Sequence, residues 1–279
     1  MNSGARALWR AEPPVDPENG GMRRLWLVLL SMFALVVAGA GAGPAGGSGA
    51  APGPVSVTSI PTVGPLFLPS VLGLGPALGL PHYCSASVVH SAGHDLALTA
   101  AHCVYGNGFA IEFAPGFHDG VSPYGVWAVR RVYLDAQWLH GHDPQHDFAV
   151  LQLARKGGRG VEDRTGAAPR LGHAPASGST VTVDGYVAGS GGRPISCSAS
   201  VYYTGGYPSF DCAGFRDGVS GGPWLQGGRV VGVIGGLHQG GCTAATSYSA
   251  RFGADVAELL ARAELGGPGN SGSITLPDC

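Results

Sequence analysis

Apolar and polar positions between about residues 62 and 252 follow one repeated pattern, in which short apolar segments alternate with clusters of turn-forming residues. Representative apolar segments lie at 97–101, 148–154, 180–187, 229–236 and 247–252. They are rich in Val, Ile, Tyr and Thr, which β-strands favour. Many short apolar runs punctuated by Gly and Pro predict an all-β sandwich or barrel.

The segment ADVAELLARAEL (254–265) departs from this pattern. It places Val256, Leu259, Leu260 and Ala263 at helical spacing. Two glycines follow at 266–267 and are typical of a helix end. We therefore expect one short C-terminal α-helix, and no amphipathic helix before residue 253.

The first 42 residues are typical of a secretory signal peptide. Arg23 and Arg24 precede an uncharged apolar run, 25–38, and small residues follow it. The run is shorter than the roughly 20 residues of a transmembrane helix, although an uncleaved anchor stays open as an alternative. We expect a secreted, extracellular protein with no membrane association after signal cleavage.

Both regions that flank the predicted domain are rich in small residues. We interpret 43–61 as a flexible linker or pro-segment, 62–265 as the folded domain and 266–279 as a tail.

Charge and cysteine content narrow the function classes. Only 12% of residues are charged and the formal net charge is −2, so no basic surface predicts a nucleic-acid partner. The six cysteines behind an export signal predict three disulfides, whose pairing the count leaves open. No Cys-x-x-Cys pair occurs, which argues against a zinc knuckle or a thioredoxin-like site.

Three segments carry candidate chemistry: LTAAHC at 98–103, HDFAVL at 146–151 and DGVSGGPW at 217–224. Each alone is typical of a turn or a strand end. Together they supply a hydroxyl nucleophile, an imidazole base and a carboxylate that fixes the imidazole tautomer. Glycines beside the serine let backbone N–H groups converge on a developing oxyanion.

These three segments, in this order, resemble the signature segments of chymotrypsin/trypsin-like serine proteases of the secreted bacterial type. Flanking segments at 83–89, 123–127 and 233–236 extend the resemblance over roughly 62–260. It implies two six-stranded antiparallel β-barrels, at about 62–160 and 161–252, with the active site in the cleft between them. It also implies a serine endopeptidase that works through an acyl-enzyme.

The resemblance implies a role for each matched residue. His102 would be the general base, Asp147 its orienting carboxylate and Ser220 the nucleophile, and the N–H groups of Gly218 and Ser220 would form the oxyanion hole. The disulfides implied are Cys84–Cys103, Cys197–Cys212 and Cys242–Cys279. No cofactor and no metal are expected, the protein is expected to be a monomer, and its partners would be protein or peptide substrates.

The sequence departs from the family pattern at two points. Val219 stands where most relatives carry an Asp that receives the new N-terminal amine on activation, so we predict a site that forms without this ion pair. Val63 would be the nearest candidate for a mature N-terminus. Gly214 stands where relatives that cleave after Lys or Arg carry Asp, which favours an apolar or small P1 residue instead.

The remaining substrate contacts are predicted in the glycine-rich segment Ile234, Gly235 and Gly236. Its backbone would pair with an extended substrate as an added strand.

Three alternative functions compete with this interpretation. A catalytically silent relative would keep the fold and bind proteins without reacting. A metal site could use His140, His142, His146 and Asp143, although Asp147 in the same segment is assigned to the triad. An esterase of the α/β-hydrolase type is disfavoured, because its triad runs Ser, acid, His and a helix follows its serine.

Overall fold

The protein is described here from a computed structural model, which describes residues 52–68, 76, 79, 81–109 and 111–275. All of these residues belong to one compact unit, 49–279. The predicted signal peptide and Cys279 lie outside the described residues. Within the described ranges, no helix is long and apolar enough to span a lipid bilayer.

Short strands dominate the described chain, with a few short helices between them. The strands are β1 (Val55–Ser56), β2 (Val63–Phe67), β3 (His82–Val88), β4 (Leu96–Thr99), β5 (Glu112–Phe113), β6 (Trp127–Leu134), β7 (Ala149–Leu153), β8 (Arg170–Leu171), β9 (Thr180–Gly185), β10 (Ile195–Ser200), β11 (Tyr202–Thr204), β12 (Tyr207–Asp211), β13 (Pro223–Gln226), β14 (Arg229–Val233) and β15 (Thr246–Tyr248). The α-helices are α1 (Ala136–Gly141), α2 (Glu162–Thr165) and α3 (Ala254–Glu264), and 3₁₀ turns span Ala101–Cys103, Pro144–His146 and Leu237–Gly240.

The first half of the described chain forms a closed barrel of six antiparallel strands, in the order β2-β3-β4-β7-β6-β5. Side chains of a strand point alternately to its two faces, so Trp127 and Val129 of β6 enter the core while Arg130 faces solvent. The register with β7 shifts between Val129 and Arg131, so that Val132 again faces inward.

The second half forms a three-stranded sheet, β11-β12-β15, and, together with the N-terminal strand β1, a six-stranded sheet, β1-β10-β9-β13-β14-β8. Its core contains Trp224, Phe210 and Phe215, whose rings meet edge to face. The predicted all-β class is confirmed. The hydrogen bonds of the described strands close the first barrel, whereas those of the second half leave two separate sheets.

Helix α3 confirms the predicted C-terminal helix, ending at Glu264, one residue earlier than the sequence indicated. Its predicted apolar face is buried against both halves of the protein, and burial of each leucine contributes roughly 1.5–3 kcal/mol. These side chains belong to one buried cluster that also includes Leu96, Tyr133 and Phe148 of the first half, and Val230 and Val233 of β14.

Helix α1 was not predicted, for a simple physical reason. It is six residues long and buries only Trp138, so it has no apolar periodicity to detect. Its start depends on the Asp135 side chain, which accepts a hydrogen bond from the backbone N–H of Gln137.

Both ends of the described chain are held by backbone hydrogen bonds. The predicted linker contributes β1, and Val57 N–H donates to the carbonyl of Pro194. In the tail, Asn270 N–H donates to the carbonyl of Val132, and Gly106 and Gly272 exchange hydrogen bonds. Such bonds need no apolar side chains, which is why composition alone indicated flexible segments here.

Candidate active site

His102 and Asp147 are in direct contact. His102 Nδ1 lies 2.8 Å from Asp147 Oδ2. An ionised carboxylate can only accept, so the proton of this bond lies on Nδ1, and in the neutral imidazole Nε2 is then an acceptor. The His102 side chain is 8% exposed and that of Asp147 is fully buried, so the pair is shielded from solvent.

The Asp147 carboxylate receives two further N–H donors from the backbone. His102 N–H donates to Oδ1 at 2.9 Å, and Gly236 N–H donates to Oδ2 at 2.8 Å. Glycine is needed beside this carboxylate, because a Cβ on Gly235 would lie 2.9 Å from Asp147 Oδ2. Three donors therefore satisfy the buried charge and fix its orientation.

Local structure positions each member of this pair. His102 lies in the 3₁₀ turn that follows β4, and the adjacent Cys103 is disulfide-bonded to Cys84 of β3. Asp147 ends the 3₁₀ turn Pro144–His146, immediately before Phe148 and β7. Because β4 and β7 are paired strands, the two side chains leave the barrel at the same edge.

Ser220 lies in the loop before β13, and Ser85 of β3 anchors that loop. Ser85 N–H donates to the Ser220 carbonyl at 2.7 Å. The Ser85 hydroxyl donates to the Gly218 carbonyl at 2.8 Å and accepts from Tyr186 N–H at 2.9 Å. The sequence pattern did not reveal Ser85, because nothing local distinguishes it from the other serines of its strand.

Two glycines let the loop adopt its shape. Gly218 and Gly221 have φ angles of 93° and 79°, in the left-handed region that disfavours other residues. A Cβ on Gly221 would lie 2.1 Å from Thr99 Oγ1, and one on Gly218 would lie 2.6 Å from Ala188 N. The loop therefore packs too closely for any side chain at these positions.

His102 and Ser220 line one cavity of about 520 Å³. Phe215, Val219 and Ile234 contribute apolar wall, and Tyr83 also faces the cavity. Burial raises the pKa of Tyr83 far above its usual value, so its phenol stays neutral. The charged or titratable residues on its lining, besides His102 and Tyr83, are Arg216, Asp217 and His238.

The predicted substrate residues fall into two groups. Ile234 lines the cavity, whereas Gly214, Gly235 and Gly236 do not. The N–H and carbonyl of Ile234 pair with Gly222 and Gly221, and those of Gly236 pair with Asp147 and Gln239. A substrate strand along 234–236 would have to displace some of these bonds.

The activation residues also have defined surroundings. Val219 is 4% exposed and packs against Gly185, while Asp217 is exposed at the rim. Val63 is buried in β2, where it pairs with Ser87 and its N–H donates to the Ile60 carbonyl.

The alternative metal site at 140–147 does not assemble as a ligand set. His142 Nε2 bonds Ser273 Oγ at 2.8 Å, and His146 lies between Asp143 and Asp255. In the described part of the chain, ligand atoms converge within 4.8 Å in two other sets: Cys84, His102 and Cys103, and His90, His94 and Glu162. The cysteines of the first set are joined in a disulfide.

The disulfides Cys84–Cys103 and Cys197–Cys212 are both present. Cys242 is disulfide-bonded too. Its predicted partner, Cys279, lies outside the described residues, so that pairing stays a prediction.

A closed β-barrel joined to a second β-region, with His102 and Ser220 lining one cavity and Asp147 bonded to His102, is typical of the chymotrypsin-like class of proteins. A family model described as a trypsin-like peptidase domain matches residues 84–233, more than half of the 279 residues. The chain therefore belongs to the trypsin-like peptidase domain family. No curated protein sequence matches the chain at a significant level.

Solved structures extend the likeness beyond the matched segment. The protease Anisep from Arthrobacter nicotinovorans is 24% identical, with a TM-score of 0.62 over 75% of this chain and 98% of its own. The thermostable serine protease AL20 from an extremophilic microorganism is 26% identical, with a TM-score of 0.62 over 74% and 98%. The scabies mite inactivated protease paralogue S-I1 is 17% identical, with a TM-score of 0.55 over 76% and 99%.

Proposed function

We propose that the protein is a secreted serine endopeptidase in which Ser220, His102 and Asp147 form the catalytic triad. The observation that carries the proposal is the buried His102–Asp147 hydrogen bond beside the cavity that Ser220 also lines. This arrangement leaves His102 Nε2 free of the proton that it would need to accept.

The reaction would proceed in two halves. Ser220 Oγ attacks the peptide carbonyl carbon while its proton passes to His102 Nε2, and the imidazolium then returns that proton to the leaving amine. Water next attacks the acyl-enzyme, again losing a proton to Nε2, and the acid leaves as Ser220 regains its hydroxyl proton. Asp147 stabilises the imidazolium and holds its tautomer.

The N–H groups of Gly218 and Ser220 would stabilise the oxyanion of each tetrahedral intermediate. Support comes from the hydrogen bonds that Ser85 makes to both residues, because they fix the loop before substrate arrives. A donor already in place costs no reorganisation during the reaction.

The primary substrates would be peptides with an apolar or small P1 side chain. Phe215, Val219 and Ile234 give the cavity apolar wall, and no acidic residue occupies position 214. Cleavage of a peptide library by the purified protein tests this preference. A dominant requirement for Lys or Arg at P1 would contradict it.

We further propose that the active site forms without an N-terminal ion pair. Val219 offers no carboxylate, and Val63 is paired inside the barrel. Versions of the chain beginning before and at Val63 should therefore differ little in activity per folded molecule. A large gain on exposing the Val63 amine would contradict the proposal.

The decisive experiment is labelling with a fluorophosphonate probe, which reacts only with an activated serine. The wild-type chain should label, while Ser220→Ala and His102→Ala should not. Ser198→Ala, at an exposed serine on β10, is the matched control and should label as the wild type does. Equal labelling of the wild type and Ser220→Ala would remove the assignment, and no labelling of either would favour the silent binding protein.

Secretion rests on the sequence of residues 1–42 and on the two disulfides, which persist in oxidising compartments. Expression with and without 1–42, followed by N-terminal sequencing of protein from the medium, tests it. We expect cleavage near residue 42 and a monomeric product in size-exclusion chromatography. Retention of the full-length chain in the membrane fraction would favour the anchor instead.

A further inference from the structure

A second cluster of histidines and carboxylates lies away from the triad. It joins the turn between β3 and β4, which carries His90 and His94, to Glu162 and Asp163 at the start of α2. His94 precedes β4 and His102 follows it, so these residues lie at opposite ends of the strand. At about 3.4 Å per residue, β4 alone separates them by roughly 10 Å.

The ligand atoms in this cluster converge. One ring nitrogen from each of His90 and His94 and a carboxylate oxygen of Glu162 all lie within 4.8 Å of one another. His90 Nδ1 lies 2.8 Å from Glu162 Oε1. Ligands about 2.0–2.1 Å from a tetrahedral zinc ion lie roughly 3.4 Å apart, which falls within that 4.8 Å limit.

Backbone hydrogen bonds hold the three residues in place independently of their side chains. His90 N–H donates to the Pro169 carbonyl, His94 N–H to the Ser91 carbonyl and Glu162 N–H to the His94 carbonyl. A Cβ on Gly160 would lie 2.1 Å from the His94 carbonyl oxygen, so the two segments also pack closely. Such a site needs side-chain rotation and no loop closure to receive an ion.

The charges of the cluster favour a cation. The Glu162 side chain is only 9% exposed. Asp163 follows it in the chain, and Asp163 Oδ1 lies 2.6 Å from His94 Nδ1. The nearby cation Arg155 is engaged by Asp95 and by the Gly93 carbonyl. Ring nitrogens of both histidines already face these carboxylates, and a divalent ion bound between them would exchange those contacts for metal–ligand bonds.

We propose that His90, His94 and Glu162 bind a zinc ion, with Asp163 or water as the fourth ligand. Two imidazoles and a carboxylate form a donor set that suits zinc. The ion would tie the β3–β4 turn to α2 and stabilise the barrel. It would not take part in peptide hydrolysis, because the triad lies at the other end of β4.

Zinc uptake by the purified, chelator-treated protein tests the proposal without reference to activity. Equilibrium dialysis against zinc chloride should give one bound zinc per chain, together with a rise in Tm. The double variant His90→Ala/His94→Ala should lose at least about 100-fold in zinc affinity and show no zinc-dependent rise in Tm. Undiminished zinc binding by that double variant would overturn the proposal.

Two control variants test whether the zinc ion binds elsewhere on the protein. Both His140→Ala/His142→Ala and His102→Ala should bind zinc as the wild type does. Loss of zinc binding in either would place the ion elsewhere and overturn the proposal. Glu162 is buried, so Glu162→Gln would risk unfolding the turn. The single variant His90→Ala, at a partly exposed position, therefore serves as the second ligand variant. Near-UV circular dichroism checks that it is folded.

Discussion

Two histidine–carboxylate pairs in this protein have similar nitrogen–oxygen distances but very different surroundings. The contact from His102 Nδ1 to Asp147 is 2.8 Å and that from His94 Nδ1 to Asp163 is 2.6 Å. The side chains are 8% and 0% exposed in the first pair, but 43% and 33% in the second. Distance alone therefore does not distinguish a candidate catalytic pair from a surface ion pair.

The difference lies in what surrounds each carboxylate. Asp147 accepts from two backbone N–H groups besides the imidazole, so its charge is satisfied and its orientation fixed without water. Asp163 accepts from Gly160 N–H but stays in contact with solvent, which screens its attraction for His94. The buried pair can orient a base, whereas the exposed pair is free to exchange partners.

The sharpest test of this comparison replaces each carboxylate by its amide. Asp147→Asn should lower kcat by about 10⁴-fold, because an amide no longer holds the His102 tautomer that leaves Nε2 as acceptor. Asp163→Asn, the matched control, should change kcat less than about two-fold, because Asp163 contacts His94 at the end of β4 opposite to His102. Peptide hydrolysis at saturating substrate measures both, and equal effects would remove the distinction between the pairs.

A second test concerns the support of the nucleophile loop. Ser85→Ala leaves the Gly218 carbonyl and Tyr186 N–H without a partner, and should cost about 1–3 kcal/mol of stability and roughly 10- to 100-fold in kcat. Ser87 is equally buried on the same strand, and its hydroxyl has no hydrogen-bond partner among the described residues. Ser87→Ala should therefore cost less than about 1 kcal/mol. Urea unfolding and initial rates compare the two, and indistinguishable variants would contradict this role for Ser85.

Asp184 provides a third carboxylate, buried without a histidine. Burial raises the pKa of Asp184, and a hydrogen bond from Ser196 offsets this only in part. A raised carboxyl pKa means that the folded state binds the proton more tightly than the unfolded state, so stability falls as the pH rises above the unfolded value. Asp184→Asn should raise Tm at pH 7.5, with the gain shrinking toward pH 4. A constant gain at every pH would show that the charge is not its cause.

The smallest expected effect belongs to the exposed pair. Asp163 raises the pKa of His94, and His94 lowers the pKa of Asp163. The contribution from His94 is therefore lost as the pH rises through its raised pKa, and the contribution from Asp163 is lost as the pH falls through its lowered pKa. Asp163→Asn should lower Tm slightly, and only between these limits. Thermal unfolding from pH 3 to 9 in chelator checks this, and a large loss at pH 9 would contradict it.

The features that the sequence could predict were local ones. The strand pattern and the helix predicted at 254–265 follow from periodicity within one segment, and the three motif segments are each contiguous. Ser85 could not be found in this way, because its hydroxyl acquires its role from Gly218, 133 residues later in the chain. The cluster of His90 and Glu162 likewise joins residues 72 apart, and neither position is unusual in its own segment.

Segments with few apolar side chains were the other features that the sequence did not predict. Strand β1 and the tail around Asn270 are held through backbone groups, which every residue type carries, so composition could not reveal them. The strand pairing in the second half also could not be predicted from local sequence patterns. Strands β8 and β14 pair in parallel across nearly sixty residues of chain, a contact that alternation of apolar residues does not encode.

The attachment of the two chain ends has a mechanical consequence. The segment that precedes the barrel pairs with β10 in the second half, and the segment that follows α3 returns to β6 in the first half. The N-terminal segment therefore pairs with the second half, and the C-terminal segment pairs with the first half. A cut between the halves would leave each fragment without the terminal segment that pairs with it, so we expect the two fragments to be less stable apart than the intact chain.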